Sequence, residues 1–120
     1  MLTKTYRLHK NYQFRYVYSH GKVYSDGMLV LIVCASKRST QTRIGISISK
    51  KSGKANLRNR IKRRIRESVR AKLPCLRHGF HVVFTANAKY AFDKKISFAK
   101  INASVTDLLS RADLIENNAV

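Results

Sequence analysis

The chain has 120 residues, which suits one domain with a single core, and 44% of them are hydrophobic, as is typical of a folded protein. Lysine and arginine number 25 against six acidic residues, so the formal net charge is +19. Such a charge predicts an anionic partner. The longest apolar run, Met28 to Ala35, has eight residues and is too short to span a membrane, and no signal peptide is recognisable. We therefore expect a cytoplasmic protein with no membrane partner.

The first third of the chain predicts a helix and two extended segments. Aromatic residues recur from Lys10 to His20, and Gly21 follows as a C-cap, which indicates a short first helix. Lys22 to Ser25 is expected to be a short extended piece. Met28 to Ala35 is continuously apolar and predicts a strand that is buried on both faces.

A polar loop and an alternating strand follow. Ser36 to Thr42 is polar and predicts a hairpin loop. Arg43 to Ser49 alternates between large and small residues, so its three isoleucines share one face of a strand. The small side chains lie on the other face, which is smooth enough for another group to lie against it: Gly45, Ser47 and Ser49.

The segment from Lys50 to Lys72 carries eleven basic residues and one acid, Glu67, which most simply pairs with Arg63 or Arg64 on its own helix. Asn56 is the expected N-cap of this helix. An apolar residue recurs at every fourth position and forms a stripe that can dock on a sheet: Leu57, Ile61, Ile65 and Val69. The opposite side of the wheel is polar and basic: Asn59, Arg63, Arg66 and Arg70. A face with charges of one sign is atypical of a merely solvated surface and predicts a binding site for phosphates.

The last third of the chain predicts one strand and one helix. Pro74 ends the basic helix, Gly79 to Ala86 is apolar and extended, and a final amphipathic helix runs from an N-cap at Asp93 to Ala112. The element order is therefore α-β-β-β-α-β-α. It predicts a single α/β domain over residues 1–120, with one sheet covered by helices.

The segment from Ser49 to Glu67, SKKSGKANLRNRIKRRIRE, resembles the signature of the bacterial ribonuclease P protein family. The core of that signature is Arg-Asn-Arg, followed by Lys-Arg and Arg-Glu. The resemblance continues in the first helix and in the strand that begins at Arg43. Asn56 stands where valine is common in the family, and Ile32 stands where some members carry an aromatic residue.

The resemblance implies a left-handed β-α-β crossover and a protein that assists an RNA enzyme. The RNA subunit of ribonuclease P carries out the Mg²⁺-dependent hydrolysis that removes the 5′ leader of precursor tRNA. The protein would therefore supply no catalytic residue and bind no small-molecule substrate, and Asn59 is only a candidate for an indirect metal contact. The residues expected to contact the RNA subunit are Lys50, Lys51, Lys54, Arg58, Asn59, Arg60, Lys62, Arg63, Arg66 and Arg70.

The resemblance further implies a cleft between the first helix and the sheet that receives the leader. Phe14 and Tyr18 are four residues apart and share a helix face, which also favours base stacking when read from the sequence alone. The other interpretation is that Phe14 and Val17 pack the helix onto the core. The residues expected to bind the leader are Phe14, Arg15, Tyr18, Arg43, Ser47 and Ser49.

Two other functions fit the charge and the size. One is a structural RNA-binding protein of the ribosomal type with no role in catalysis, and the other is a DNA-binding module whose basic helix enters a major groove. The carboxylates and the four histidines form no catalytic motif, and the cysteines, Cys34 and Cys75, have no zinc-site spacing and are expected to be reduced.

Overall fold

Four strands and three helices make up the computed structural model, which describes residues 6–8, 10–36, 41–87 and 89–115. Their order along the chain is the predicted one, α-β-β-β-α-β-α. The helices are α1 (Asn11–His20), α2 (Ala55–Lys72) and α3 (Phe98–Arg111). The strands are β1 (Lys22–Ser25), β2 (Leu29–Ala35), β3 (Arg43–Ser47) and β4 (Phe80–Ala86). The prediction of a single domain of mixed helices and strands is confirmed by this architecture.

The strands form one sheet in the order β1-β2-β4-β3, in which β2 is antiparallel to β1 and to β4. The predicted hairpin between β2 and β3 is wrong, because β4 lies between these two strands. Val82, Val83 and Phe84 make β4 buried on both faces, which suits a central strand better than an edge. Of the predicted loop, residues 37–40 lie outside the described residues.

Strand β3 is parallel to its neighbour β4, with Ile44 opposite Val82 and Ile46 opposite Phe84. Parallel neighbours need a crossover connection, and the chain makes it through α2. The left-handed sense of this crossover stays a prediction. The consequence for function is that the basic helix is tied to the sheet at both of its ends.

The larger part of the core lies between the sheet and the helices α2 and α3. The predicted apolar stripe of α2 faces the sheet: Ile61, Ile65 and Val69 are fully buried, and Leu57 is partly buried. The predicted isoleucine face of β3 is confirmed as well, because Ile44 and Ile48 are buried in this core and Ile46 packs against it.

Helix α1 lies on the opposite face of the sheet and forms a second, smaller core. Val17 is fully buried there beside Ile32, Cys34 and Val83. Strand β2 is therefore buried on both faces, as predicted, since Leu29 and Leu31 belong to the larger core. Gly21 ends α1, and its N–H donates to the carbonyl oxygen of Val17 at 2.8 Å.

Two predicted helix starts are wrong. Helix α2 has Lys54 as its N-cap, and Asn56 is already exposed within the first turn. Helix α3 begins after Ser97, whose Oγ accepts a hydrogen bond from the Lys100 N–H at 3.2 Å. Asp93 instead accepts from the N–H of Lys95 at 2.9 Å, within a turn that precedes the helix. Serine and aspartate cap local turns as well as helices, which explains the wrong start of α3, whereas α2 begins without a side-chain cap.

Candidate nucleic-acid interface

The outward side of α2 carries the predicted polar and basic residues, which we call the basic face: Asn59, Lys62, Arg63, Arg66 and Arg70. Asn59, Arg63 and Arg70 are exposed, whereas Lys62 and Arg66 are half-buried. The one acid on α2, Glu67, lies 4.0 Å from Arg70, an exposed pair that contributes little to stability. The helical period therefore separates the groups that pack from the groups that are free to meet a ligand.

Arg66 shares its surroundings with a second guanidinium. Burial, together with the positive charge of Arg7, lowers the pKa of Arg66 from its ordinary value. Arg7 lies beside the edge of the sheet, where it forms an isolated parallel bridge to Ile44 of β3. A phosphate placed between these two arginines would relieve their repulsion, because an anion favours both charged forms.

Two of the predicted RNA contacts are also tied to the protein itself. The Nε of Arg58 donates to the carbonyl oxygen of Gly53 at 3.1 Å, which braces the loop before α2. The Nη1 of Arg60 donates to the carbonyl oxygen of Lys94, in the segment before α3. Each guanidinium keeps other donors for a ligand, since arginine has five. Replacement of either residue would therefore disturb structure as well as binding.

The loop before α2 presents more basic side chains. Lys50 and Lys51 are exposed in a 3₁₀ turn over Lys50–Ser52, and Lys54 is exposed at the N-cap of α2. Gly53 has φ of 139°, a conformation that favours glycine, and a Cβ there would lie 2.8 Å from Leu57 Cδ2. Glycine thus lets the loop close tightly onto the first turn of the helix.

Helix α1 contributes the aromatic part of the candidate leader cleft. Phe14 is half-buried and packs against the smaller core, and a Cβ on Gly45 would lie 2.5 Å from its ring. The structure therefore supports the packing interpretation for Val17 fully and for Phe14 in part. Tyr18 is 45% exposed and is open to a stacking partner, and Arg15 is exposed near it along the helix.

The sheet contributes the polar part of the same surface. Arg43 and Ser47 flank Gly45 along β3, opposite His81 and Thr85 of β4. Ser47 is exposed, and Ser49 is exposed beyond the strand, which ends two residues earlier than predicted. Arg43 Nε and His81 Nε2 are buried and have no hydrogen-bond partner among the described residues. Burial and the charge of Arg43 lower the pKa of His81 from its ordinary value of 6.5.

Three groups near these surfaces were not predicted. The charge of Arg7 acts on Arg66, His81 lies beside Arg43, and the segment from Tyr90 to Lys95 lies beside the first turn of α2. Each contact joins residues that are far apart in sequence, so no local pattern indicates it. For the segment from Tyr90 to Lys95, the sequence offered one signal: Lys94 and Lys95 are two adjacent cations in an otherwise weakly charged stretch.

The described helices include none that is both long and apolar enough to cross a membrane. A domain of mixed helices and strands that presents a basic helix face is of the class of nucleic-acid-binding proteins. Comparisons with known proteins narrow this class. Residues 2–113 match the family model described as Ribonuclease P.

The ribonuclease P protein component of Clostridium novyi (strain NT) is 41% identical over 114 residues, which cover 94% of this chain and 98% of that protein. The component of Clostridioides difficile (strain 630) is 38% identical over 112 residues, with coverage of 92% and 95%. The structure of the Staphylococcus aureus RNase P protein superposes with a TM-score of 0.83 at 31% identity and covers 94% of this chain and 100% of that chain. The RNase P protein from Thermotoga maritima superposes with a TM-score of 0.77 at 26% identity, and the match covers 88% of this chain and 96% of that chain.

The chain belongs to the ribonuclease P protein family. It is a component of an endoribonuclease of tRNA processing, and it is a subunit of a ribonucleoprotein. The expected family is thus confirmed by the match over nearly the whole chain.

Proposed function

We propose that the basic face of α2, with the loop before it, binds the RNA subunit of ribonuclease P. The observation that carries this proposal is the separation on α2 of a buried apolar stripe from an outward face with charges of one sign. Each cation placed against the RNA releases counterions, and this release supplies much of the affinity. Asn59 is exposed on the same face, and this exposure supports the proposal that it makes an indirect contact to a metal ion held by the RNA.

The 5′ leader of precursor tRNA binds on the other face of the sheet, between α1 and β3. Tyr18 offers an exposed ring and Phe14 a half-buried one, while Ser47 and Arg43 supply polar contacts beside them. Stacking on aromatic rings tolerates any base, which suits leaders of differing sequence. The two RNA-binding surfaces are thus on opposite faces of the sheet, and the sheet fixes the distance between them.

The hydrolysis itself is assigned to the RNA subunit and its Mg²⁺ ions, in the cytoplasm. Several carboxylates of the protein are engaged in structural roles. Asp26 accepts from the N–H groups of Met28 and Leu29 at 3.0 Å and from the hydroxyl of Ser104, and Asp107 lies 2.9 Å from Arg111. The contribution of the protein is to screen the repulsion between two RNA strands, which lowers the Mg²⁺ concentration that cleavage requires.

Reconstitution tests this function. The chain, a bacterial ribonuclease P RNA and a precursor tRNA with a 5′ leader are mixed at low Mg²⁺, and cleavage is compared with that of the RNA alone. We expect the chain to restore cleavage, and the chain without RNA to cleave nothing. A chain that leaves the RNA-only rate unchanged contradicts the proposal and favours the structural RNA-binding alternative. Co-sedimentation with ribosomal subunits in high salt would then be the next measurement.

A further inference from the structure

A cleft of about 770 Å³ lies between the start of α2 and the segment that precedes α3. Its apolar part is formed by Leu57 of α2 and by Tyr90 and Phe92. Phe92 is buried in the larger core, whereas Tyr90 is half-buried and packs against that core. The apolar part of the cleft is therefore continuous with the larger core, and it lies on the opposite face of the sheet from α1.

The rim of the cleft is strongly basic. The lining residues include five cations and no acid: Lys51, Lys54, Arg60, Lys94 and Lys95. The bond from Arg60 to the carbonyl oxygen of Lys94 joins the two walls. An apolar floor inside a ring of cations suits a ligand that is flat and apolar at one end and anionic at the other.

The first turn of α2 opens into the same cleft, since Asn56 and Leu57 line it. In the part of the chain that the structure describes, no side chain caps this turn and no acid lies in it. Its N–H groups and the helix dipole are thus available to an anion. Ser52 provides a second, independent indication. It lines the cleft and is 7% exposed, and its Oγ is buried with no hydrogen-bond partner among the described residues.

Two side chains lie against the ring of Tyr90. Phe92 meets it edge-on, with ring centroids 4.8 Å apart and an interplanar angle of 73°. Lys100 Nζ, from α3, lies 5.6 Å from the ring centroid. The N–H of Tyr90 donates to the carbonyl oxygen of Asn87 at 3.0 Å. A tyrosine restrained in this way loses little conformational entropy when a flat group stacks on it.

We propose that this cleft binds one unpaired nucleotide, with its phosphate at Ser52 and the first turn of α2 and its base against Tyr90 and Leu57. The five cations exclude a purely apolar ligand, and the apolar floor gives a nucleotide an advantage over a bare phosphate. The assignment of this nucleotide to an RNA strand rests on the proposed function. The binding of a nucleotide in the cleft does not depend on that function. The cleft shares Lys51 and Lys54, in the loop before α2, with the surface proposed to bind the RNA subunit, and it is separate from the candidate leader cleft between α1 and β3.

The test is a titration of the ¹⁵N-labelled full chain, followed through its backbone amide resonances. The probes are adenosine 5′-monophosphate, adenosine, inorganic phosphate and a single-stranded oligoribonucleotide of five nucleotides. We expect the monophosphate and the oligoribonucleotide to shift the amides of residues 52–57 and 90–95. If the oligoribonucleotide binds more tightly than the monophosphate at these amides, an RNA strand is the source. Tighter binding of the free monophosphate overturns the assignment to RNA, and an equal response to inorganic phosphate overturns the base contact.

Substitutions at Tyr90 and Ser52 test separately where the base and the phosphate bind. Tyr90→Ala should weaken binding of the monophosphate about tenfold, which is the contribution of one base–aromatic stack. Tyr90→Phe should retain binding. Ser52→Ala should weaken binding of the monophosphate but leave binding of adenosine unchanged. The matched control is Tyr12→Ala, which removes an exposed tyrosine of α1 and should change nothing.

An unchanged affinity in Tyr90→Ala overturns the proposal, as does the absence of shifts in the cleft of the unmodified chain. The titration of the unmodified chain tests the proposal even if Tyr90→Ala does not fold. Failure of the reconstitution assay with a positive titration would instead reject the proposed function and leave the cleft standing.

Discussion

The basic face of α2 and the leader surface of α1 are both proposed to bind RNA, but they relate to the core in different ways. On α2 the packing residues, such as Ile61 and Ile65, are fully buried on one side, and Arg63 is exposed on the other. On α1 one side chain serves both packing and binding, because Phe14 packs on Gly45 and also faces the candidate leader cleft between α1 and β3. Binding and stability are therefore separable by mutation at Arg63 and Ile65 of α2, but they are coupled at Phe14 of α1.

The two surfaces also differ in the physics of binding. Arginines on the basic face act over a distance and lose their effect as salt screens them, whereas an aromatic stack acts only at contact and is insensitive to salt. The RNA subunit, with its many phosphates, suits the first surface. A single-stranded leader with unpaired bases suits the second. The following predictions test this division, from the largest expected effect to the smallest.

Ile65→Ala should lower the free energy of unfolding by about 2–5 kcal/mol, because Ile65 is fully buried and its loss leaves a cavity under α2. Urea denaturation followed by circular dichroism measures this change. The matched control is Arg63→Ala on the exposed side of the same helix, which should stay within about 0.5 kcal/mol of the original. Equal losses in both variants would show that the two sides of α2 are not separate.

Arg63→Ala combined with Arg70→Ala should weaken binding of the RNA subunit by on the order of 2 kcal/mol, because two exposed phosphate contacts are lost. The slope of log affinity against log salt concentration should fall by about two. This pair avoids Arg60, whose bond to Lys94 would mix structure with binding. A loss of affinity with an unchanged salt slope would mean that these arginines do not contact phosphates.

Tyr18→Ala should leave assembly with the RNA subunit intact and reduce the affinity gained from a 5′ leader by on the order of 1 kcal/mol, about fivefold. The reason is the loss of one exposed stacking ring. Binding of precursor tRNA with and without a leader measures the gain. Tyr12→Ala, on another side of α1 and 61% exposed, is the control and should have no effect. If both variants reduce the gain equally, the leader does not lie where we place it.

A pH dependence of stability should follow from His81 and is the smallest effect. Its pKa is lowered in the folded chain, so below its ordinary value of 6.5 the unfolded chain takes up a proton that the folded chain does not. The free energy of unfolding should therefore fall as pH falls below 6.5, until the pKa of the folded chain is passed. Urea denaturation at several pH values measures this. His81→Gln should flatten the dependence in that range, and an unchanged profile would assign it to other groups.

Helix α2 shows how much of a site local sequence can determine. The four-residue spacing of Leu57, Ile61 and Ile65 fixed both the buried side and the basic face, because helical geometry is local. The same holds for the alternation in β3, which placed Gly45 and Ser47 together on one face. The predicted order of helices and strands was confirmed for this reason.

Tertiary structure alone decided which distant residues meet. Nothing local indicates that β4 inserts between β2 and β3, and this insertion brings His81 beside Arg43. The cleft of Tyr90 depends equally on a long-range contact, since Arg60 reaches the carbonyl oxygen of Lys94, 34 positions away. The helix start at Lys54 escaped prediction because no side chain caps it, and the start at Ser97 escaped prediction because Asp93 caps a nearby turn instead. The sequence therefore determined the face of each element, and packing determined which faces share a site.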